Sequence, residues 1–176
     1  MDSIIRPIEN ALAPFFKQLP PLPFNAKRAL VKYWPIIALV LGVMQLVAAL
    51  SLWRLGHAAN DVVNQLTIAA GGMAVAPQLG LFFYLGLVTL LVDGALLLSA
   101  YTPLKARRKR GWDLLFMASL VNVLYGLLLM FDPYYGGFMN FLSPLVGSAI
   151  AWYFMFQIRE MYLGAQASDS TTKSQK

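Results

Sequence analysis

Cysteine is absent from this 176-residue chain, and histidine occurs once, at His57. Without cysteine the chain has no disulfide framework, no thiol nucleophile, no iron–sulfur cluster and no cysteine zinc site. A single histidine likewise excludes a metal site built from several imidazoles. We therefore expect neither a metal ion nor another cofactor.

Charged residues are also scarce: Asp, Glu, Lys and Arg make up 12% of the sequence, against 59% hydrophobic residues. A soluble domain normally carries about 25% charged residues, so this chain has too few to cover a water-facing surface. The composition excludes a soluble enzyme and a disordered chain, and it indicates lipid as the surrounding solvent.

Four long apolar runs dominate the sequence, and each is long enough to cross the roughly 30 Å core of a bilayer as a helix. The runs contain one central charge, Asp93, and one at an edge, Asp113. Because lipid offers no partner for free backbone groups, each run is predicted to be helical. The predicted spans of this transmembrane domain (34–158) are 34–53, 79–101, 112–131 and 138–158.

Nearly all cationic residues fall on one side of these spans, since Arg54 alone of the 14 Lys and Arg residues lies on the other side. The positive-inside rule predicts that both termini are cytoplasmic, in a plasma or inner membrane. This asymmetry also accounts for the net charge of +6 without a nucleic-acid partner. Aromatic residues near the span ends are expected to be interfacial anchors: Tyr33, Trp34, Trp53, Tyr101, Trp112, Tyr134, Tyr135 and Tyr162.

The segments flanking the spans are amphipathic or polar. Residues 1–18 repeat apolar side chains near helical spacing, which predicts an amphipathic helix. It either lies in the cytoplasmic interface or docks, on a partner protein or on the floor of the bundle. A proline-rich break follows, and the whole cytoplasmic or interfacial region covers 1–33. Residues 159–176 are predicted to be a flexible cytoplasmic tail.

The longest connection follows the first span. Apolar residues keep a helical period over 55–73, which predicts a helix lying on the outer leaflet and ended by Gly71-Gly72. His57 and Asp61 share its polar face one turn apart. One imidazole and one carboxylate are too few ligands for a metal, so a solvated helix face is the better interpretation.

Each predicted span also carries one polar residue near mid-bilayer, about 12–16 Å from its cytoplasmic end at 1.5 Å per residue. Polar groups are unfavourable in lipid, so these side chains should face one another. They are Gln45, Asp93, Asn122 and Ser148.

Two interpretations of this polar layer are open. In the first, amide and hydroxyl groups hold the helices together, and a protonated Asp93 donates a hydrogen bond to Gln45 or Asn122. In the second, Asp93 carries a proton or binds a cation. No second acid or base accompanies Asp93 near the middle of the spans, so the sequence contains no visible hydrolytic set.

Small residues spaced by one helical turn predict close helix packing, within the chain or between copies. They are Ala38 and Gly42, Gly126 one turn after Asn122, and the stripe Ser143, Gly147 and Ala151. Pro144 either kinks the fourth span or begins a shorter helix.

A basic segment joins the second and third spans and contains Lys105, Arg107, Arg108, Lys109 and Arg110. Such cations attract anionic lipid headgroups at about 1 kcal/mol each. The alternative is that they serve only to set the topology.

The sequence thus predicts an all-α integral membrane protein, a four-helix transmembrane bundle with an N-terminal interfacial amphipathic helix. Its two halves, opened by Trp34 and Trp112, resemble a tandem pair of helical hairpins. The predicted function is a non-catalytic scaffold, accessory subunit or lipid-associated factor, acting with a membrane-protein partner or a second copy of itself. The alternative is a small ion- or proton-coupled transporter or channel that uses Asp93, and a lipid-modifying enzyme has no motif to support it.

Overall fold

The computed structural model describes the backbone of residues 2–69, 71–72, 79–132 and 137–173, and the side chains of 5–69, 71–72, 79–132 and 137–163. This described part is all-helical, as predicted, and contains no strand. Four of its five helices, α2 to α5, are long and apolar enough to cross a membrane, by length and composition. The helices are α1 (Asp2–Lys17), α2 (Phe24–Ala69), α3 (Leu81–Lys105), α4 (Lys109–Leu129) and α5 (Phe138–Lys173).

Helix α2 is much longer than the predicted span over 34–53. It continues without a break to Ala69, so the prediction of a separate helix lying on the outer leaflet is wrong. Its end lies where the glycines predict it, because Gly71 and Gly72 have φ values of 73° and 80°. The Gly72 N–H donates to the Thr67 carbonyl at 2.8 Å, which closes a Schellman motif.

Helix α5 begins at the predicted residue 138 and keeps Pro144 inside it, so the alternative of a shorter helix starting at Pro144 is wrong. The helix continues past the predicted end at 158 to Lys173. The predicted tail over 159–176 therefore has helical backbone as far as Lys173, and its flexibility stays a prediction.

Helices that follow one another in the chain pack side by side, α2 against α3, α3 against α4, and α4 against α5. Within the described residues, α2 and α5 make few contacts with each other. The row of four helices is therefore loosely closed, with a gap between its two outer members, α2 and α5.

Much of the buried core lies where α4 begins. Trp112 is 1% exposed, its Nε1 donates to the Met155 carbonyl at 3.0 Å, and its ring stacks on Phe116. Tyr162 is equally buried. The prediction that Trp112 and Tyr162 are interfacial anchors is therefore wrong, because neither side chain reaches the surface. Tyr33 and Trp53 are exposed, as anchors require, and Tyr134 and Tyr135 lie outside the described residues.

Helix α1 docks against α5, which is the second of its two predicted positions. The Phe16 ring stacks on Phe156 with centroids 5.1 Å apart, and Ile5 is fully buried. Glu9, only 1% exposed, accepts hydrogen bonds from the guanidinium of Arg159. Apolar packing and a partly buried ion pair thus hold α1 against the end of the bundle.

Candidate functional site

Three of the four residues of the predicted polar layer meet inside the bundle. Gln45 Nε2 and Asn122 Nδ2 donate hydrogen bonds to the same atom, Asp93 Oδ2, at 2.8 and 2.9 Å. The carboxyl group is 2% exposed and is held between α2 and α4. Both amides donate, so the direction of the hydrogen bonds is opposite to the one predicted from the sequence.

The second carboxyl oxygen, Asp93 Oδ1, is buried and has no hydrogen-bond partner within the described part of the chain. Leaving a buried polar atom unpaired costs about 1–3 kcal/mol. This oxygen can hold a proton, accept a hydrogen bond from a bound molecule, or contribute a ligand to a cation. It is the chemically available atom of the cluster.

Close packing of α2 on α3 is what brings Gln45 to Asp93. A Cβ atom at Gly42 would lie 3.1 Å from the backbone nitrogen of Leu98. One at Gly94 would lie 3.2 Å from the Gly42 carbonyl oxygen, so two glycines face each other across the contact. Ala38, one turn from Gly42, is also buried. Gly94 was not among the predicted packing residues, although a small residue directly after the acid of an apolar run was an available signal.

A cavity of about 370 Å³ opens beside this cluster, and all four long helices contribute to its walls. We call it the central cavity. Gln45, Asp93, Asn122 and Ser148 line it together. No hydrogen bond within the described residues joins Ser148 to the other three. The rest of the lining is mostly apolar and includes Trp34, Leu41, Leu97, Leu115 and Met155.

The volume and the mixed lining of the central cavity fall within the range seen for small-molecule pockets. Small-molecule pockets typically enclose about 300–1,000 Å³ and combine apolar walls with a few convergent polar groups. Two of its α2 residues, Ile37 and Leu41, are 41% and 46% exposed. The cavity is therefore reachable from the side, through the gap between α2 and α5.

On α5 the small-residue stripe borders this cavity, and at Gly147 it makes no close contact with the described residues. A Cβ atom at Gly147 would meet nothing within 4 Å, and Ser143 is exposed. Gly147 and Ala151 line the central cavity. Gly126 behaves differently, because a Cβ atom there would lie 2.5 Å from Cγ of Pro144, where α4 and α5 touch.

The basic segment forms the turn from α3 to α4. Arg107 adopts a positive φ of 52°, and the N–H of Arg108 donates to the Pro103 carbonyl at 2.8 Å. Lys109 lies 3.8 Å from Asp113 on the next turn of α4. Arg108 and Arg110 line a second groove, on the outer side of α3.

Among the described residues, no group of three or more His, Asp or Glu side chains is placed to hold a metal ion. The centre of the His57 ring lies 4.1 Å from the centre of the Trp53 ring.

Comparison with protein-family models, curated proteins and solved structures finds no match to this chain.

Proposed function

We propose that this chain is a non-catalytic, lipid-associated membrane protein that binds an amphipathic guest molecule in its central cavity. One observation carries the proposal: Asp93, at the polar end of an otherwise apolar cavity, has a buried oxygen without a hydrogen-bond partner among the described residues. A guest with a matching donor would satisfy this atom and fill the space beside it.

The chemistry of the polar cluster defines the guest. Asn122 Nδ2 donates one N–H to Asp93 Oδ2 and one to the Ala118 carbonyl, while Gln45 Nε2 donates one of its two N–H groups to Asp93 Oδ2. The cluster therefore offers a guest more acceptors than donors, namely Asp93 Oδ1 and the two amide oxygens against one N–H of Gln45. Acceptors select a guest that donates, such as a hydroxyl or a protonated amine. The apolar walls and the lateral opening favour a hydrophobic body that enters from lipid.

The proposed setting is a plasma or inner membrane with both termini in the cytoplasm. Supporting it, α1 is docked on α5 at Arg159, so the N-terminal cations lie at the same end of the bundle as the start of the tail. A reporter fused after Lys176 should be active on the cytoplasmic side, and activity on the far side would reject this orientation.

Extraction of the full-length protein, purified in detergent from its native membranes, tests the cavity proposal. Wild type should retain an apolar molecule that carries a hydrogen-bond donor, identified by mass spectrometry. This molecule should form a larger fraction of the co-purified material than of the membrane itself. Gly147→Leu adds a side chain into the empty space and should deplete that molecule. Ala48→Leu places the same side chain at an exposed position of α2 and is the control. No enrichment in wild type, or equal enrichment in Gly147→Leu, would refute the proposal.

A proton or cation transporter is the second candidate, because the unpartnered oxygen belongs to a carboxyl in the middle of α3. In liposomes with an imposed pH or cation gradient, this candidate predicts flux in wild type that Asp93→Asn abolishes while the protein stays folded. The guest-binding proposal predicts no flux. The flux measured with wild-type protein therefore distinguishes the two proposals.

A further inference from the structure

A second groove runs along the outer side of α3 and shares no lining residue with the central cavity. We call it the outer groove. It encloses about 640 Å³ and extends along α3 from Val92 to Ala106, the residue after the helix, with Arg110 and Leu114 of α4 on its other side. The guest proposed above does not account for it.

The outer groove exists because the exposed face of α3 carries small side chains. Ala95, Ser99, Thr102 and Ala106 recur at spacings of three or four residues, so they stack along one stripe of the helix. None of them extends far enough to fill the space between α3 and α4. A shallow channel therefore runs parallel to the helix axis.

Polarity changes in order along this channel. Arg108 and Arg110 lie at one end, the hydroxyls of Thr102 and Ser99 follow, and the walls are apolar from Leu96 onward. A phospholipid has the same order, with a phosphate, then glycerol esters, then acyl chains. The distance fits as well: 14 residues of helix span about 21 Å, and one leaflet with its headgroup region measures about 20–22 Å.

The structure also separates the five cations of the basic segment. Lys105 lies over the Tyr101 ring, 6.0 Å from its centre, and Lys109 is 3.8 Å from Asp113. Arg107 does not line the outer groove. Arg108 and Arg110 do, and guanidinium groups suit phosphate because they can donate two parallel hydrogen bonds.

We propose that the outer groove binds one anionic phospholipid of the cytoplasmic leaflet, with its phosphate on Arg108 and Arg110 and one acyl chain along Ala95 and Leu96. This inference rests on the membrane setting of the proposed function but not on the guest of the central cavity. If the five cations only set the topology, removing any two of them should affect lipid binding equally. If the outer groove binds a phosphate, removal of Arg108 and Arg110 should have the larger effect.

Native mass spectrometry of the full-length protein in detergent, titrated with dioleoylphosphatidylglycerol or dioleoylphosphatidylcholine, tests the site. Wild type should retain one phosphatidylglycerol in preference to phosphatidylcholine. Arg108→Gln with Arg110→Gln should weaken this binding at least about tenfold. Lys105→Gln with Arg107→Gln removes the same charge from the same turn and should keep the preference.

Two further variants separate the parts of the proposal. Ser99→Leu fills the channel without changing charge and should also weaken phosphatidylglycerol binding. Gly147→Leu, which blocks only the central cavity, should leave it unchanged, so failure of the two sites can be told apart. The proposal is overturned if wild type shows no preference for the anionic lipid, if both double variants lose it equally, or if inorganic phosphate displaces the lipid completely.

Discussion

Gly126 and Gly147 both belong to small-residue patterns in the sequence, yet alanine should affect stability differently at the two positions. At Gly126 the new Cβ would lie 2.5 Å from Cγ of Pro144, inside the contact between α4 and α5. The proline ring is fixed within α5 and cannot rotate away, so the two helices must separate slightly. At Gly147 the new Cβ meets nothing within 4 Å.

The magnitude follows from two effects. Alanine in place of glycine favours a helix by about 1 kcal/mol, and this gain applies in both α4 and α5. Overpacking a helix contact costs about 1–3 kcal/mol, and this cost applies only at Gly126. Because both variants gain the same helix propensity, Gly147→Ala should be more stable than Gly126→Ala by about 1–3 kcal/mol.

Equilibrium unfolding by sodium dodecyl sulfate in mixed micelles, followed by tryptophan fluorescence, measures this difference directly. Gly147→Ala should be at least as stable as wild type. Gly126→Ala should unfold at a lower mole fraction of the denaturing detergent than Gly147→Ala. Equal stability of the two variants, or the reverse order, would refute the assignment of Gly126 to a packed contact and Gly147 to open space.

Two further predictions concern the turn after α3 and the docking of α1. Arg107 has a φ of 52° at the end of α3, where glycine is preferred, so Arg107→Gly should stabilise the protein by about 1 kcal/mol in the same titration. Arg107→Ala keeps the Cβ atom and should not, and an equal gain in both variants would contradict the backbone explanation. Glu9→Gln removes the charge that holds Arg159, so amide hydrogen exchange over 5–16 should quicken by about tenfold. Adding Arg159→Gln should then change little, because the pair is already broken, and a large additional effect would show that Arg159 acts elsewhere.

Features that depend on one helix at a time were predictable from the sequence. The four apolar runs become four long helices because apolar composition and backbone hydrogen bonding are properties of each segment alone. That Gln45, Asp93 and Asn122 lie at similar distances from the same end of the bundle was also predictable, because each residue of a helix adds the same rise along its axis. The glycine pair that ends α2 acts through its own backbone angles and needed no tertiary information.

Features that depend on how helices face one another were not predictable. Trp112 lies at a helix end, where sequence position suggests an anchor, but the rotation of α4 turns its ring into the core. The ion pair between Glu9 and Arg159 joins residues 150 positions apart, and no local pattern connects them.

Position along a helix axis is thus determined by the sequence, because every residue adds the same rise to a locally hydrogen-bonded backbone. Direction around that axis is decided only when α2 to α5 pack, because the fit of all contacting surfaces selects the rotation of each helix. That packing leaves Gly147 facing a cavity while it presses Gly126 against Pro144. It also gathers two amides onto one oxygen of Asp93 and leaves the other oxygen without a partner among the described residues.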